Sequence, residues 1–409
     1  MKHIESVSKE PQQLEQIDSF LLRAAELLHR YGTPSFRLEG VMTRVATTQG
    51  VHSEFLYTPT ALIVGLGYGE SQRTYVRRVQ AEETDISKLL ALDQILEDLE
   101  SGRISVSGAA ERLEQTASDP PPFRLPVSLL ASAIACAGVA VIFGGSWLET
   151  LIAGFFGLAI AYLAMAASAF TQRGLLEPFL GFTVALCAVA LGHWLPVNDR
   201  LITMAALILP IPGLTLTIAL TELALQHLSS GSARLAGAMV SLFTLVVGVA
   251  IAWRLTDAWI EPMRDTVDPL PGWCLWIAVS VTPIALAVVF KAPMSQWPAI
   301  MVVVISGFLT SRTMTEMAGP EVGALLGAMA VGCGSNIYAR LFNRPAIIPQ
   351  TPGLLILVPG TIGYSALTAM IDNQTIRGVE LAFSMSILGV ALVGGLLLAN
   401  QLISPKRIL

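Results

Sequence analysis

The chain has 409 residues and a formal net charge of -5; 53% of its residues are hydrophobic and only 13% are charged. A soluble domain carries about 25% charged residues, so this composition excludes an ordinary soluble chain. No basic, aromatic-rich face is present, which excludes a nucleic-acid binder. The shortfall in charge is uneven: Met1–Leu125 holds 13 basic and 18 acidic residues, and the remaining 284 hold 12 of each.

The first part reads as a small α+β domain, residues 1–119. Apolar positions Leu14, Ile17, Leu21, Ala24 and Leu28 step by three and four, predicting an amphipathic helix. A second helix is expected from Pro34 to about Gln49. Val51–Tyr57, Thr60–Leu66 and Gln72–Val79 read as strands separated by short breaks. Helices follow near Ile86–Glu100, with Asp85 as its cap and Gly102 past its end, and near Ser105–Gln115. The run Asp119-Pro120-Pro121-Pro122 opens a stiff linker, residues 120–125. The first 30 residues lack the apolar stretch of a signal peptide, so the N-terminus is expected in the cytoplasm. Cys136, Cys187, Cys274 and Cys333 stand singly, without metal or redox spacing. They read as apolar filler, and neither a metal nor a cofactor is expected.

Ten apolar runs then predict membrane helices at about 126–143, 147–170, 177–195, 201–227, 234–256, 272–290, 297–311, 321–341, 346–371 and 377–403. A span needs about 20 apolar residues; the seventh is short. With the N-terminus inside, the inner flanks carry Arg124, Arg173, Arg234, Lys291, Arg340, Arg344, Lys406 and Arg407, against Arg200, Arg254, Arg264, Arg312 and Arg377 outside. This modest positive-inside bias puts both termini in the cytoplasm. A multi-pass membrane location is expected.

Pro212-Gly213 and Pro359-Gly360 are each followed six residues later by Ala-Leu-Thr, at Ala219 and Ala366. Thr171 and Arg173 have a weaker echo in Thr310 and Arg312. The spacing suggests two five-helix units, 126–260 and 272–403. Because five is odd, the second unit would be inverted, as in many secondary transporters. The fourth run contains Pro210-Ile211-Pro212-Gly213, and the ninth contains Pro349, Pro352-Gly353 and Pro359-Gly360. Proline removes a backbone donor, and a helix broken inside a membrane must satisfy its freed groups with protein, water or solute. Paired breaks therefore mark a candidate transport site. Thr215, Thr217 and Thr221 follow one break; Thr361, Tyr364 and Ser365 follow the other.

Ionisable groups inside a membrane are costly unless paired or wet. Glu222 is the foremost candidate, as a carrier of a coupling proton or as the partner of Arg234. Asn336 and Arg340 share a helix face, with Arg340 also readable as an interfacial anchor. Glu149, Glu177, His193, Glu316, Glu321 and Glu380 complete the set.

Several segments together resemble the threonine/serine exporter family. They are His29-Arg30-Tyr31-Gly32 with Arg37 and Glu39, and Pro212-Gly213 with Gly231 and Arg234. In the second half they are Asn336, Arg340, Arg344-Pro345 and Leu357-Val358-Pro359-Gly360 with Tyr364. The resemblance covers nearly the whole chain. It implies a secondary active transporter of a bacterial inner membrane that exports threonine and serine by proton antiport, with Thr215, Glu222, Arg234, Asn336 and Arg340 at motif positions. Relatives often carry an amide-containing stretch where this chain has Thr215 and Thr217. Some relatives look like dicarboxylate exporters, and succinate-type export is the alternative substrate reading.

Two other classes of function draw on the first domain. A hydrolytic site would use His29 and His52 with Ser35, Ser53, Glu39 or Glu54. No nucleophile elbow, phosphate loop or metal spacing accompanies them, and His29 reads as a helix-end residue before the stop at Gly32. A regulatory module would sense a ligand or partner and gate the path. Oligomeric state is left open by the sequence.

Overall fold

The computed structural model describes residues 11–68, 71–79, 83–167, 175–256, 270–357 and 360–405. Helices α1 (Pro11–Arg30) and α2 (Ser35–Thr48) precede strands β1 (His52–Thr58), β2 (Ala61–Tyr68) and β3 (Ser71–Arg78), then α3 (Ile86–Glu100) and α4 (Val106–Ser118). The strands form an antiparallel meander. Strand β1 alternates, turning Ser53, Phe55 and Tyr57 inward, because successive side chains point to opposite faces. Ile17, Leu21, Ala24 and Leu28 line the buried stripe of α1 against that face, and the Tyr57 hydroxyl donates to the Ala25 carbonyl at 2.6 Å. Asp85 caps α3 by accepting from the Lys88 amide at 3.1 Å. Ser105 does the same for α4 from Gly108 at 3.2 Å.

Eight long helices follow: α5 (Leu125–Ile142), α6 (Trp147–Ala167), α7 (Leu176–Trp194), α10 (Leu228–Thr256), α11 (Gly272–Val289), α12 (Trp297–Ala318), α13 (Pro320–Phe342) and α16 (Thr375–Leu402). Between them lie a broken segment, α8 (Asp199–Ala206) with α9 (Gly213–Ala224), and a second segment described on either side of residues 358–359, α14 (Ile347–Leu357) and α15 (Gly360–Ile371). Among the described residues, nine helical stretches are long and apolar enough to cross a membrane, counting 347–371 as one. The chain is a polytopic helical membrane protein.

The fourth expected span, 201–227, is interrupted at the expected place, around Pro210-Ile211-Pro212-Gly213. Pro210 and Pro212 cannot donate to the preceding turn, and residues 207–212 leave the helical path. The segment still runs the full depth of the molecule. At one end, the Asn198 amide donates to Glu149 Oε1 at 2.7 Å, beside the start of α6. At the other, Glu222 meets the first domain. The seventh span is longer than expected, because Arg312 and Glu316, 3.4 Å apart on one helix face, continue α12 instead of ending it. Helix α10 starts at Leu228 rather than 234, once Gln226 with φ 67° has ended the preceding turn.

Helix boundaries recur at a spacing of 147 residues. Leu125–Ile142 maps onto Gly272–Val289, Gly213–Ala224 onto Gly360–Ile371, and Leu228 onto Thr375. The packing recurs as well: α7 lies on α10 as α13 lies on α16, α9 on α10 as α15 on α16, and α6 on α8 as α12 on α14, while α5 packs on α11. Tryptophans mark the end away from the first domain. Trp147 and Trp273 have ring centroids 6.2 Å apart, and Trp194 is exposed, as expected at a membrane interface.

The N-terminal elements sit directly on the opposite end. Ile347 of α14 completes their apolar core, and Ile86 of α3 packs among Ala287, Ile300 and Tyr338. The Ile86 amide donates to the Phe290 carbonyl at 3.0 Å. Lys291 pairs with Glu83 and, at 3.4 Å, with Asp85.

Candidate functional site

The two Pro-Gly positions meet. Gly213 opens α9 after the break at residues 207–212, and Gly360 opens α15, next to residues 358–359, which lie outside the described residues. A Cβ built on Gly360 would lie 2.9 Å from the Gly213 Cα and 2.7 Å from Ile211 Cγ2. Only glycine allows backbones this close. Pro212 precedes the contact on one side; Pro359 lies outside the described residues.

A cavity of about 400 Å³ lies beside this contact, between α5, α11, α12 and the second break. That is within the usual range for small-molecule pockets, roughly 300–1,000 Å³. Its wall includes Ile208, Thr282, Ser311, Arg312, Ile356 and Thr361. The Thr282 hydroxyl is buried and has no hydrogen-bond partner among the described residues. Here that hydroxyl lies against Gly138 of α5; turned toward the cavity it would orient a polar solute, because leaving it unpaired is costly.

The hydroxyls expected at the breaks divide by what they already hold. Thr217 donates to the Gly213 carbonyl at 3.2 Å and Thr221 to the Thr217 carbonyl at 2.8 Å, the back-bonding common for threonine within helices. Thr215 is partly exposed on α9, and Thr361 faces the cavity. Tyr364 is buried in the apolar cluster around Ile211, Leu242 and Val246, with its hydroxyl unpartnered among the described residues. The Ser365 hydroxyl lies 4.0 Å from the Met204 sulfur.

Glu222 lies at the far end of α9 from the break and is fully buried. Four donors surround its carboxylate: the Ser35 amide at 3.0 Å, the Ser35 hydroxyl at 2.7 Å, the Ser230 hydroxyl at 2.8 Å and Arg234 Nε at 3.1 Å. Ser35 is the first residue of α2, so a helix N-terminus, with its free amides and partial positive charge, faces the carboxylate. The expected Glu222–Arg234 pair is present, and the structure adds a serine from the first domain. Nearby, His227 Nδ1 lies 3.3 Å from Glu39 Oε2. Burial raises the Glu39 pKa, against the opposing pull of His227. Arg37 Nη2 donates to Gln350 Oε1 at 2.6 Å, and burial pushes its guanidinium down to about 10.

Asn336 and Arg340 stand elsewhere. Asn336 donates to Asn400 Oδ1 at 2.9 Å and to the Ile403 carbonyl at 2.7 Å. Arg340 Nε donates to the Ser404 carbonyl, and its Nη2 to the Ser404 hydroxyl, both at 2.8 Å. Together they hold the end of α16. The residues proposed for hydrolysis are likewise otherwise engaged: Ser35 is committed to Glu222, and His29 is buried with its ring 5.5 Å from that of Tyr57.

Sequence reasoning missed Thr282, Ser311 and Arg312. Thr282 had one signal, its place beside Pro283 inside the sixth span. Arg312 was read as a loop charge because the seventh helix seemed to stop before it.

Comparison with known proteins accounts for both halves of the chain. Two threonine/serine exporter family models match it, one over residues 19–256 and the other over residues 275–402. Pheromone-regulated membrane protein 10 of Eremothecium gossypii is 25% identical over 376 residues, covering 88% of this chain and 50% of the relative. Its Saccharomyces cerevisiae namesake is 24% identical, covering 87% and 49%. The threonine/serine exporter of Corynebacterium glutamicum is 24% identical over 422 residues, covering 97% of this chain and 85% of the relative. The chain thus spans about half the length of the fungal relatives it matches. No solved structure matches. With matches running from α1 to α16, the chain belongs to the threonine/serine exporter family.

Proposed function

We propose that this chain is a secondary active transporter that exports threonine and serine by proton antiport, with the solute bound in the cavity where the two broken segments meet. The observation that carries this reading is the Gly213–Gly360 contact beside a cavity with an unpartnered hydroxyl. Broken helices facing each other at mid-depth are the usual place for a transported solute. Family membership supports an amino acid as that solute.

Within this reading the solute ligands are Thr361, Thr282, Ser311 and Arg312 of the cavity wall, with Thr215 serving the path along α9 and Pro212, Gly213 and Gly360 shaping the passage; Pro359 lies outside the described residues. Thr217, Thr221 and Tyr364 brace it. Glu222 takes up and releases the coupling proton: a neutral acid would lose part of its claim on four donors, and Arg234 and Ser35 would loosen. The 147-residue recurrence of boundaries and packing supports two inverted five-helix repeats, 126–260 and 272–403. Residues 1–119 form an α+β domain on the cytoplasmic side of a bacterial plasma membrane. Arg124, Arg234, Lys291, Arg340 and Arg344 on that side favour this orientation.

The test is uptake of labelled threonine into inverted vesicles carrying the protein under an imposed proton gradient. Gradient-dependent accumulation above empty vesicles is expected, with serine competing and succinate not. No accumulation overturns the reading; competition by succinate alone moves it to dicarboxylate export.

A further inference from the structure

Arg37 is the unusual cation of the molecule. It lies in the first turn of α2 and only 7% of it is exposed. One arm of its guanidinium is used: Nη2 donates to Gln350 on α14. The other arm, Nη1, is buried with no hydrogen-bond partner, and no carboxylate lies within ion-pair distance among the described residues. Glu222, the nearby buried acid, is already committed to four donors. A neutral amide is a poor counterpart for a buried guanidinium, whose planar fork is matched by a carboxylate. A buried cation without a counter-ion is destabilising, so retaining one here calls for a use.

The surroundings suit an anion. The Thr33 hydroxyl, four residues before Arg37, is also buried without a partner. Gln350 lies on the half-helix that leads to the second break. From Gln350 to the last residue of α14, Leu357, is roughly 10 Å at 1.5 Å per residue, which brings the element close to Gly360. The other wall is α2, held to the membrane helices through Ser35 and Glu222.

We propose that Arg37, with Thr33, forms an access site that takes the carboxylate of a small solute between α2 and α14, before that solute reaches the break. The site is closed in the conformation described here, and it opens when α2 parts from α14. This goes beyond the transport reading by assigning a ligand group to the N-terminal domain, and it rests on that reading only for the identity of the solute.

The experiment uses the purified full chain, with L-threonine, L-threoninamide and succinate as probes in binding and vesicle transport. The wild-type chain is expected to bind threonine and not the amide, which lacks the anionic group. Arg37→Gln is expected to raise the KM for threonine by about tenfold or more, the scale of one charge-assisted hydrogen bond, with maximal rate little changed. Arg37→Lys should recover part of the loss, and Arg44→Gln, on the surface of the same helix, should behave as wild type. An unchanged KM in Arg37→Gln overturns the proposal while leaving threonine export intact. Equal binding of threonine and threoninamide by the wild type overturns it even if the variant fails to fold. Arg37-dependent binding of succinate without any threonine transport keeps the access site and overturns the amino-acid reading instead.

Discussion

The two Pro-Gly segments share part of a backbone plan and carry opposite loads. Each contains a helix of 12 residues whose first described residue is a glycine, α9 and α15. The first is interrupted over residues 207–212, and its second half ends on a buried acid gripped by the N-terminal domain. The second carries its polar group before the break, at Gln350, and its second half holds Thr361 and Tyr364 rather than a charge. A shared helix spacing therefore does not bring shared chemistry: one segment is joined to an ionisable group, and the other lines the cavity.

The largest expected effect tests the charged segment. Glu222→Ala leaves Arg234 buried without its partner, and should cost about 3–5 kcal/mol, seen as a large fall in melting temperature, with transport lost. A variant that melts like wild type would show that the Ser35–Glu222 contact does not hold the domain. Next, Gly360→Ala forces a methyl into Gly213 and Ile211, an overpacking that should cost about 1–3 kcal/mol and slow transport more than it impairs threonine binding. Gly237→Ala, where nothing stands within 4 Å of the added carbon, is the control.

A finer comparison sets Thr282 against Thr217. Thr282→Val removes a hydroxyl with no internal partner, so stability should change by less than about 1 kcal/mol, while the KM for threonine rises. Thr217→Val removes only a bond to its own helix and should leave the KM unchanged. Equal KM values for the two variants would remove Thr282 from the site. The smallest effect concerns docking. The hydrogen bond from Lys291 holds the Glu83 carboxyl below its ordinary range. A depressed carboxyl contributes stability above its unfolded pKa and loses it as pH falls through the lower folded value. Limited proteolysis at the linker should therefore speed up below about pH 4.5, and Glu83→Gln should abolish that pH dependence.

Much of the architecture was legible because local rules govern it. Alternation in Val51–Tyr57, the Asp85 cap and the long apolar runs each depend on neighbours a few residues away, and the elements formed where those patterns lie. Pro210 and Pro212 announced the interruption of the first segment for the same reason, since a missing amide disrupts a helix wherever it sits; the break expected at Pro359 lies outside the described residues. What followed from long-range contact was not legible. Ser35 and Glu222 are 187 residues apart, and Arg37 and Gln350 are 313 apart. Thr282 became a candidate ligand only because α5, α11, α12 and the second break enclose a space around it. The sequence by itself determined the charge-rich and apolar parts, most of the helices and the position of the first break. Only the tertiary structure decided that Gly213 and Gly360 touch, which hydroxyls stay unpaired and which charges face one another, because partnership depends on distance in space rather than along the chain.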